Sequence, residues 1–508
     1  MWNNLEDRIH AACTKSIVKH EAYLKSVHDE NARRSRRALA PPQLLTARVP
    51  ESWAVDPGFD PYHVRTSRAS IAHSVTLKLK KRSYVPRAPF GFDVPKPGGG
   101  TRLVSTFQLV DEEVSRSLFK SLMKKNSAKF SARAYAYRSD RGPQDAVEYV
   151  RSEFSGEHRL YVAEYDFSKF FDTVDQGFVI KMLDRAGIIR TSLEEYLITA
   201  FLEAPLPVRG PAGGSRTSEK RGTGLPQGTS VSLFLANLAA SSLDSSLEKI
   251  GVGFARYADD TLIWSRDYSR IGAAASVLHK SSDVIGSRIN SEKSPGVRLL
   301  VREGVKDAEM STIRSVDFLG HSIGLSHISM KEATVRKIKS RIEHLIFVNL
   351  LLEPSRANQD PSQFTHLDRD YVTLIFQLRR YIYGPLNESQ VRRFQSGAAP
   401  RLNFEGVMSY FPLVDDSVGL RELDAWMAAR LWLGLRKRRR LTFGLCGKSL
   451  PHSLSKDDLI SFRTTSSSGK TLDLRIPSFV RIAKVVRLVV ESHGLSVASG
   501  GAGGYLYD

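Results

Sequence analysis

Val252-Gly253-Phe254-Ala255-Arg256-Tyr257-Ala258-Asp259-Asp260-Thr261-Leu262-Ile263-Trp264 is the stretch on which the reading of this chain turns. Two β-rich runs, 252 to 257 and 261 to 264, flank Ala258-Asp259-Asp260, which is the pattern of a hairpin with adjacent carboxylates at its tip. Neighbouring aspartates repel each other unless something cationic lies against them, and hard carboxylate oxygens suit Mg²⁺. Taken alone, the pair has a second reading, because Asp is a favoured turn residue for conformational reasons. Upstream, Tyr161-Val162-Ala163-Glu164-Tyr165 reads as a strand that delivers Asp166 at its end, just before Phe167-Ser168-Lys169-Phe170-Phe171-Asp172. A carboxylate at a strand end faces a cleft easily.

The chain has 508 residues, a length for about two to four packed units. Lys and Arg number 74 against 54 Asp and Glu, a net charge of +20, while charged residues make up only 25%. The excess is therefore an imbalance of sign, and a polyanion is the natural partner. A composition 41% hydrophobic and 9% aromatic excludes a wholly disordered basic tail protein. The two cysteines, Cys13 and Cys446, allow one disulfide at most and cannot build a four-cysteine zinc site, so a reduced, cytosolic compartment is expected. No apolar run approaches the roughly 18 residues of a membrane span. Glu6, Asp7, Lys15 and Glu21 interrupt any signal segment, and neither secretion nor a membrane partner is expected.

Punctuation by Pro, Gly and charge divides the chain into five zones. Residues 1–84 form a basic N-terminal extension with Arg33, Arg34, Arg36 and Arg37 and later Lys78, Lys80, Lys81 and Arg82. Such clusters fit a solvated helix face and nucleic-acid contact equally. Residues 85–160 start with Pro-rich loops and a Gly98-Gly99-Gly100 turn and continue as helix from Asp111 to Lys125. Residues 161–328 alternate short β-rich runs with helical stretches, and within them Gly224 to Ser230 reads as a close-approach loop. There Thr229 and Ser230 are expected to cap a helix that runs to about Ile250 and ends at Gly251. Residues 329–450 are helical and basic, with Lys331, Arg336, Lys337, Lys339 and Arg341 spaced so that several share a face. That zone closes in a helix from Trp426 to Arg440, apolar through Trp426, Ala429 and Leu433 before Arg436-Lys437-Arg438-Arg439-Arg440. Residues 451–508 carry an amphipathic segment, Ile476 to Val490, then a Gly-rich tail ending in Tyr505-Leu506-Tyr507-Asp508.

Over about residues 85 to 330 an ordered series of motifs resembles the reverse transcriptases. Tyr257-Ala258-Asp259-Asp260 looks like their YxDD box in the YADD form common among bacterial members. Asp166 with Phe170-Phe171, Gly224-Leu225-Pro226-Gln227-Gly228-Thr229-Ser230, Ile289-Asn290-Ser291-Glu292-Lys293 and Phe318-Leu319-Gly320-His321 resemble further palm motifs, in the right order. Val94-Pro95-Lys96-Pro97, Arg102 and Ala134-Tyr135-Ala136-Tyr137-Arg138 look like the fingers. The resemblance implies an α+β right-hand polymerase fold of fingers, palm and thumb, with mostly helical N-terminal and C-terminal extensions. It further implies two Mg²⁺ ions, with Mn²⁺ as a substitute, held by Asp166, the Phe167 carbonyl and Asp259, with Asp260 in weaker support. Lys293 is then the general acid for the departing pyrophosphate, and Lys96 and Arg102 hold the triphosphate. Phe171 excludes a 2′-hydroxyl, Gln227 and Gly228 approach the nascent pair, and Phe318, Leu319, Gly320 and His321 grip the primer end.

The stretch Met408 to Asp416, followed by Leu420-Arg421-Glu422-Leu423-Asp424, resembles the region after the palm in intron maturases and related bacterial polymerases. As a whole the chain looks most like the bacterial defence-associated reverse transcriptases. That likeness implies an RNA template, often a noncoding RNA encoded nearby, with dNTPs as substrates, a DNA product paired to RNA, a bacterial cytosolic setting and a role against phage. Tyr505 or Tyr507 on the Gly-rich tether is a candidate protein primer. An intron maturase, a retron-type enzyme and an RNA-binding protein without catalysis are the competing readings, and the oligomeric state, a homo-oligomer included, is open.

Overall fold

The computed structural model describes residues 4–37, 41–95, 100–207, 222–304, 308–356, 359–364, 366–397, 400–465 and 469–498. Of the described residues, 55% are helical and 13% lie in strands, the α+β class that the sequence implies. Two compact units share the chain discontinuously. One takes Met1–Val27, Thr46–Gly142 and Leu160–Leu299, the other His28–Leu45, Pro143–Arg159 and Leu300–Asp508.

In the first unit, β1 (Phe90–Pro95) and β2 (Thr101–Thr106) pair as an antiparallel hairpin. A separate sheet sets β4 (Gly253–Tyr257), β5 (Asp260–Ser265), β3 (Arg159–Tyr165) and β6 (Gly296–Val301) side by side in that order. Helix Ser230–Ile250 packs on β4, on helix Leu109–Asn126 and on helix Tyr268–Ile285. Its Phe234, Leu235, Leu238, Leu243 and Leu247 have no exposed surface, and each such burial contributes about 1.5–3 kcal/mol. Gly251 ends the helix with φ 78°, in the left-handed region where a glycine costs least. The expected cap at its start is corrected. Thr229 occupies the cap position, but its hydroxyl lies 3.2 Å from the Pro226 carbonyl and 2.7 Å from the Ser232 hydroxyl, while the Val231 N–H donates to Ser115 Oγ at 2.9 Å. Buried hydroxyls satisfy each other first, and the neighbouring helix supplies the acceptor for the free N–H.

Beneath the β4–β5 turn lies Arg256, 1% exposed in an otherwise apolar strand. Its guanidinium donates to both carboxylate oxygens of buried Asp244, at 2.7 and 2.6 Å, to Asn237 Oδ1 at 3.2 Å and to the Ala258 carbonyl at 2.9 Å. Its backbone N–H donates to the Arg133 carbonyl, and its own carbonyl accepts from the Tyr135 N–H.

In the second unit, after β7 (Thr312–Ile313), strands β8 (Ser315–Phe318), β9 (His321–Gly324) and β10 (Ile328–Met330) make an antiparallel sheet in the order β10-β9-β8. Helices Glu332–Ile346, Arg369–Tyr383, Ser417–Leu441 and Phe479–His493 follow. On the first of these Ile338, Ile342 and Leu345 turn inward while Arg336, Lys337 and Arg341 are exposed. Helix Ser417–Leu441 starts well before Trp426, and its buried stripe is Met427, Leu431, Leu435 and Arg438. The apolar face read from the sequence is therefore rotated: Leu433 is 51% exposed, and Trp426 carries Lys339 and Arg430 over its ring.

The basic clusters also need correction, because several of their members are neither solvated nor free. Arg34 and Arg37 are buried; Arg34 contacts Glu30 at 3.1 Å and Glu353 at 3.5 Å, and Arg37 Nε donates to Asp370 at 2.6 Å. Arg438, inside the run at 436–440, reaches Asp368 at 2.7 Å and Asp370 at 2.8 Å. Asp368 also meets His452 Nε2 at 2.9 Å, and the buried Cys446 thiol lies 3.1 Å from the Thr442 hydroxyl.

Removing one partner of a buried ion pair leaves the other charge stranded. Asp244→Ala is expected to destabilise its unit by about 3–5 kcal/mol, measured as a fall in the denaturant midpoint. His452 yields a pH dependence. Burial pushes its pKa down, but hydrogen bonds to Asp368 and Cys446 outweigh that and raise it to about 8. Because the folded value lies above the unfolded value of about 6.5, the contribution is complete below that pH and is lost as the pH rises through about 8. The stability of the second unit, read from its denaturant midpoint, is expected to fall over that window by an amount on the order of 2 kcal/mol, and the slope to flatten in His452→Gln.

Candidate active site

Register puts the acidic residues together. β3 pairs with β5 up to Tyr165–Thr261, and β4 pairs with β5 at Tyr257–Asp260, so Asp166 leaves the end of β3 beside the start of β5. Ala258 and Asp259 form the turn, with Ala258 at φ 60°, a left-handed conformation that a non-glycine residue seldom adopts. The hydrogen bond from Arg256 to the Ala258 carbonyl holds it there.

Asp166 is fixed by the Asn290 loop. Its N–H donates to Ser294 Oγ at 3.1 Å and its carbonyl accepts from the Asn290 N–H at 2.8 Å. The Ser168 N–H donates to the Arg288 carbonyl at 2.7 Å, so Phe167 sits in a bridge to Ile289 whose hydrogen bonds use its neighbours and leave its own carbonyl out. Lys293 Nζ donates to Asp166 Oδ2 at 2.9 Å. That bond lifts the Lys293 pKa above the ordinary lysine value; burial opposes the rise, and the charges of Asp166, Asp259 and Asp260 reinforce it. The three carboxylates thus act on one cation, the Lys293 ammonium.

Among the described residues, no three His, Cys, Asp or Glu side chains stand close enough together to hold a metal ion as placed. The donor chemistry nonetheless suits a hard divalent cation, because Asp166 holds the Lys293 ammonium and the strand register sets it beside the turn that carries Asp259 and Asp260.

A second cluster forms around Phe171. Lys169, at φ 53°, turns the chain into the short helix Phe170–Thr173, and the half-buried Phe171 ring stands edge-on to Tyr137 with centroids 6.4 Å apart. The Phe171 carbonyl accepts from the Leu225 N–H at 2.6 Å, and Gln227 Nε2 donates to Asp172 Oδ1 at 2.7 Å. A Cβ on Gly224 would lie 2.5 Å from the Asp172 carbonyl oxygen, and one on Gly228 would lie 2.3 Å from the Ser105 carbonyl oxygen. Both glycines have positive φ, so the loop passes two backbones at distances that no side chain permits. The loop thereby ties Gln227 to the short helix of Phe171 and lays Gly228 against β2.

Other candidates fall elsewhere. Lys96 and Pro97 lie outside the described residues, as do Tyr505 and Tyr507; Arg102 is in β2, opposite Val94, and only its backbone is described. Phe318, Leu319, Gly320 and His321 form the β8–β9 turn of the second unit, with Leu319 at φ 48° and Gly320 at φ 79°. Phe318, Leu319 and His321 turn inward. His321 Nδ1 lies 2.8 Å from the Leu319 carbonyl, its ring packs against Tyr410 and Phe411, and burial pushes its pKa down to about 4. The turn therefore presents backbone. Sequence reading passed over Arg256, Asp244, Asn290 and Ser294 as supports. The signal for Arg256 was a lone charge in an apolar strand, and for Asp244 a charge that follows the uncharged helical run 230–243.

Over part of its length the chain is similar to known proteins. Residues 94–323 match the family model described as "Reverse transcriptase (RNA-dependent DNA polymerase)". A relative, "Putative COX1/OXI3 intron 1 protein" of Saccharomyces cerevisiae, is 30% identical over 159 residues, which is 31% of this chain and 18% of that protein. The chain therefore spans under a fifth of that relative's length. Among solved structures, telomerase from Candida albicans in complex with a fragment of telomeric RNA has a TM-score of 0.40 at 13% identity, covering 76% of this chain and 60% of that one. Telomerase from Candida tropicalis in a similar complex has a TM-score of 0.38 at 12% identity, covering 75% and 68%. Over residues 94–323 the chain carries a reverse transcriptase domain.

Proposed function

We propose that this chain is an RNA-directed DNA polymerase that builds DNA from dNTPs on an RNA template. The observation that supports the reading is the strand register that sets Asp166, at the end of one strand, beside the hairpin turn of Asp259 and Asp260, with Lys293 hydrogen-bonded to Asp166. Two divalent ions, Mg²⁺ or in its place Mn²⁺, held by Asp166, the Phe167 carbonyl and Asp259 with Asp260 in support, would supply a lowered pKa at the primer hydroxyl and neutralise the triphosphate.

The chain's own groups do the rest. Lys293, already protonated and hydrogen-bonded to Asp166, is suited to hand a proton to the leaving pyrophosphate. Phe171, braced by Tyr137, takes the space a 2′-hydroxyl would need. Gln227 and Gly228, on the loop tied to Asp172, approach the nascent pair, and Lys96 and Arg102 take the phosphates. The β8–β9 turn offers backbone groups to a primer end.

Two finer readings separate by template. The resemblance to defence-associated enzymes favours a bacterial cytosolic polymerase that copies a neighbouring structured noncoding RNA in protection against phage, with priming from an RNA hydroxyl or from Tyr505 or Tyr507. The match to an intron 1 protein favours an intron-type maturase that also polymerises.

Asp259→Asn is expected to cut primer extension by about 10³-fold or more, the loss of several kcal/mol of charge stabilisation, with folding unchanged by circular dichroism; full activity in that variant would end the polymerase reading. Sequencing nucleic acids copurified with the wild-type chain and absent from this variant should return cDNA of a short structured RNA for the first reading and of an intron for the second. Phe171→Ala is expected to raise ribonucleotide incorporation relative to deoxynucleotide by one to two powers of ten, roughly 1.4–2.8 kcal/mol of discrimination, in single-nucleotide kinetics.

A further inference from the structure

The N-terminal region holds a cavity that the chemistry above does not use. Helix Leu5–Arg37 sets Ser16, Lys19, His20 and Tyr23 on one face by their three- and four-residue spacing. The chain then returns through a segment without regular structure and enters the short helix Glu51–Val55, bringing Arg48 and Trp53 to the same place. The Arg48 backbone N–H donates to the Tyr23 hydroxyl at 3.1 Å. His20 lies edge-on to Trp53 at 4.9 Å and to Tyr62 at 6.1 Å, and runs nearly parallel to Tyr23 at 6.3 Å. Apart from Tyr62, which stands behind His20, these residues line a cavity of about 850 Å³, within the 300–1,000 Å³ or so typical of ligand sites.

We propose that this cavity binds an unpaired nucleotide of a single-stranded nucleic acid. Half-exposed Trp53 and exposed Tyr23 supply ring surface for a base, and stacking of this kind tolerates any base because every base has a π-face. Lys19 and Arg48 are exposed cations on different elements, and among the described residues neither forms an ion pair, so both are available to phosphates. Glu51, the acidic member of the lining, can accept from a base N–H. His20 forms the back of the wall: Nδ1 is 3.3 Å from the Tyr62 hydroxyl, and among the described residues its buried Nε2 has no partner. A base paired in a duplex is stacked on both faces and cannot enter such a site. Two cations on separate walls suit the successive phosphates of a strand better than the single phosphate of a free nucleotide. The proposal extends the polymerase reading, since such an enzyme handles single strands, but it uses none of the residues of the candidate active site.

The test is photocrosslinking of the full-length chain to a short single-stranded RNA carrying 4-thiouridine, with adducts mapped by mass spectrometry. An adduct is expected on Tyr23 or Trp53, competed by unlabelled single strand but not by the same sequence as a duplex, nor by uridine monophosphate at equal nucleotide concentration. Trp53→Ala should lower the Tyr23 adduct about tenfold, from stacking worth roughly 1–3 kcal/mol, and Trp53→Phe should restore it. Lys19→Ala with Arg48→Ala should lower it and weaken its salt dependence. Extension of a preformed primer–template hybrid should be unchanged in all of these variants, which separates failure here from failure of the polymerase reading. Adducts confined to residues outside the cavity, or an undiminished Tyr23 adduct in both Trp53→Ala and the double variant, would overturn the proposal. Equal competition by uridine monophosphate would overturn the assignment to a strand. Should Trp53→Ala not fold, the exposed Lys19 and Arg48 substitutions carry the same test.

Discussion

A guanidinium shut away from water must meet acceptors on every side, and the satisfaction of Arg256 by Asp244, Asn237 and the Ala258 carbonyl is the constraint on which the acidic site depends. Charge is buried at considerable cost, yet once buried the pair resists separation far more strongly than its net contribution to folding would suggest. The left-handed Ala258 carries a comparable logic, being a strained residue tolerated because its surroundings over-determine it. Together they turn a two-residue connection, mobile in most hairpins, into a fixed mount for Asp259.

The second organising element is close backbone approach. Gly224 against Phe171 and Asp172, and Gly228 against Ser105, bring three segments distant in sequence into van der Waals range. No side-chain packing could achieve that spacing, so the geometry around Phe171 rests on missing atoms as much as on those present. The contact between Gln227 and Asp172 then sets the loop's register relative to the short helix that carries Phe171.

What was legible in the sequence was local. The end of β3, the β4–β5 turn and the termination of helix Ser230–Ile250 at Gly251 are written in short apolar runs and in punctuation by turn residues, and they lie where those signals put them. What was not legible depends on distant partners. Arg34, Arg37 and Arg438 read as surface charge because Glu353 and Asp370, which bury the first two, are hundreds of residues away, and the acids that meet Arg438 lie some seventy residues from it. Thr229 carries the cap signature, but the structure gives its hydroxyl to a loop carbonyl and to Ser232 instead. Leu433 shows that a helical stripe misassigned by one position exposes a residue counted as core.

The ion pair between Arg37 and Asp370 gives the N-terminal segment a structural duty remote from its place in the chain. Asp370 is buried, and its carboxylate oxygens are met by Arg37 and Arg438. A chain trimmed from the front past residue 37 would leave that acid with half its neutralising charge, inside a unit built largely from the C-terminal half. The basic stretch at 33–37 is in this respect a keystone of the distal fold, and domain dissection that treats it as a detachable arm would unsettle helices more than three hundred residues away.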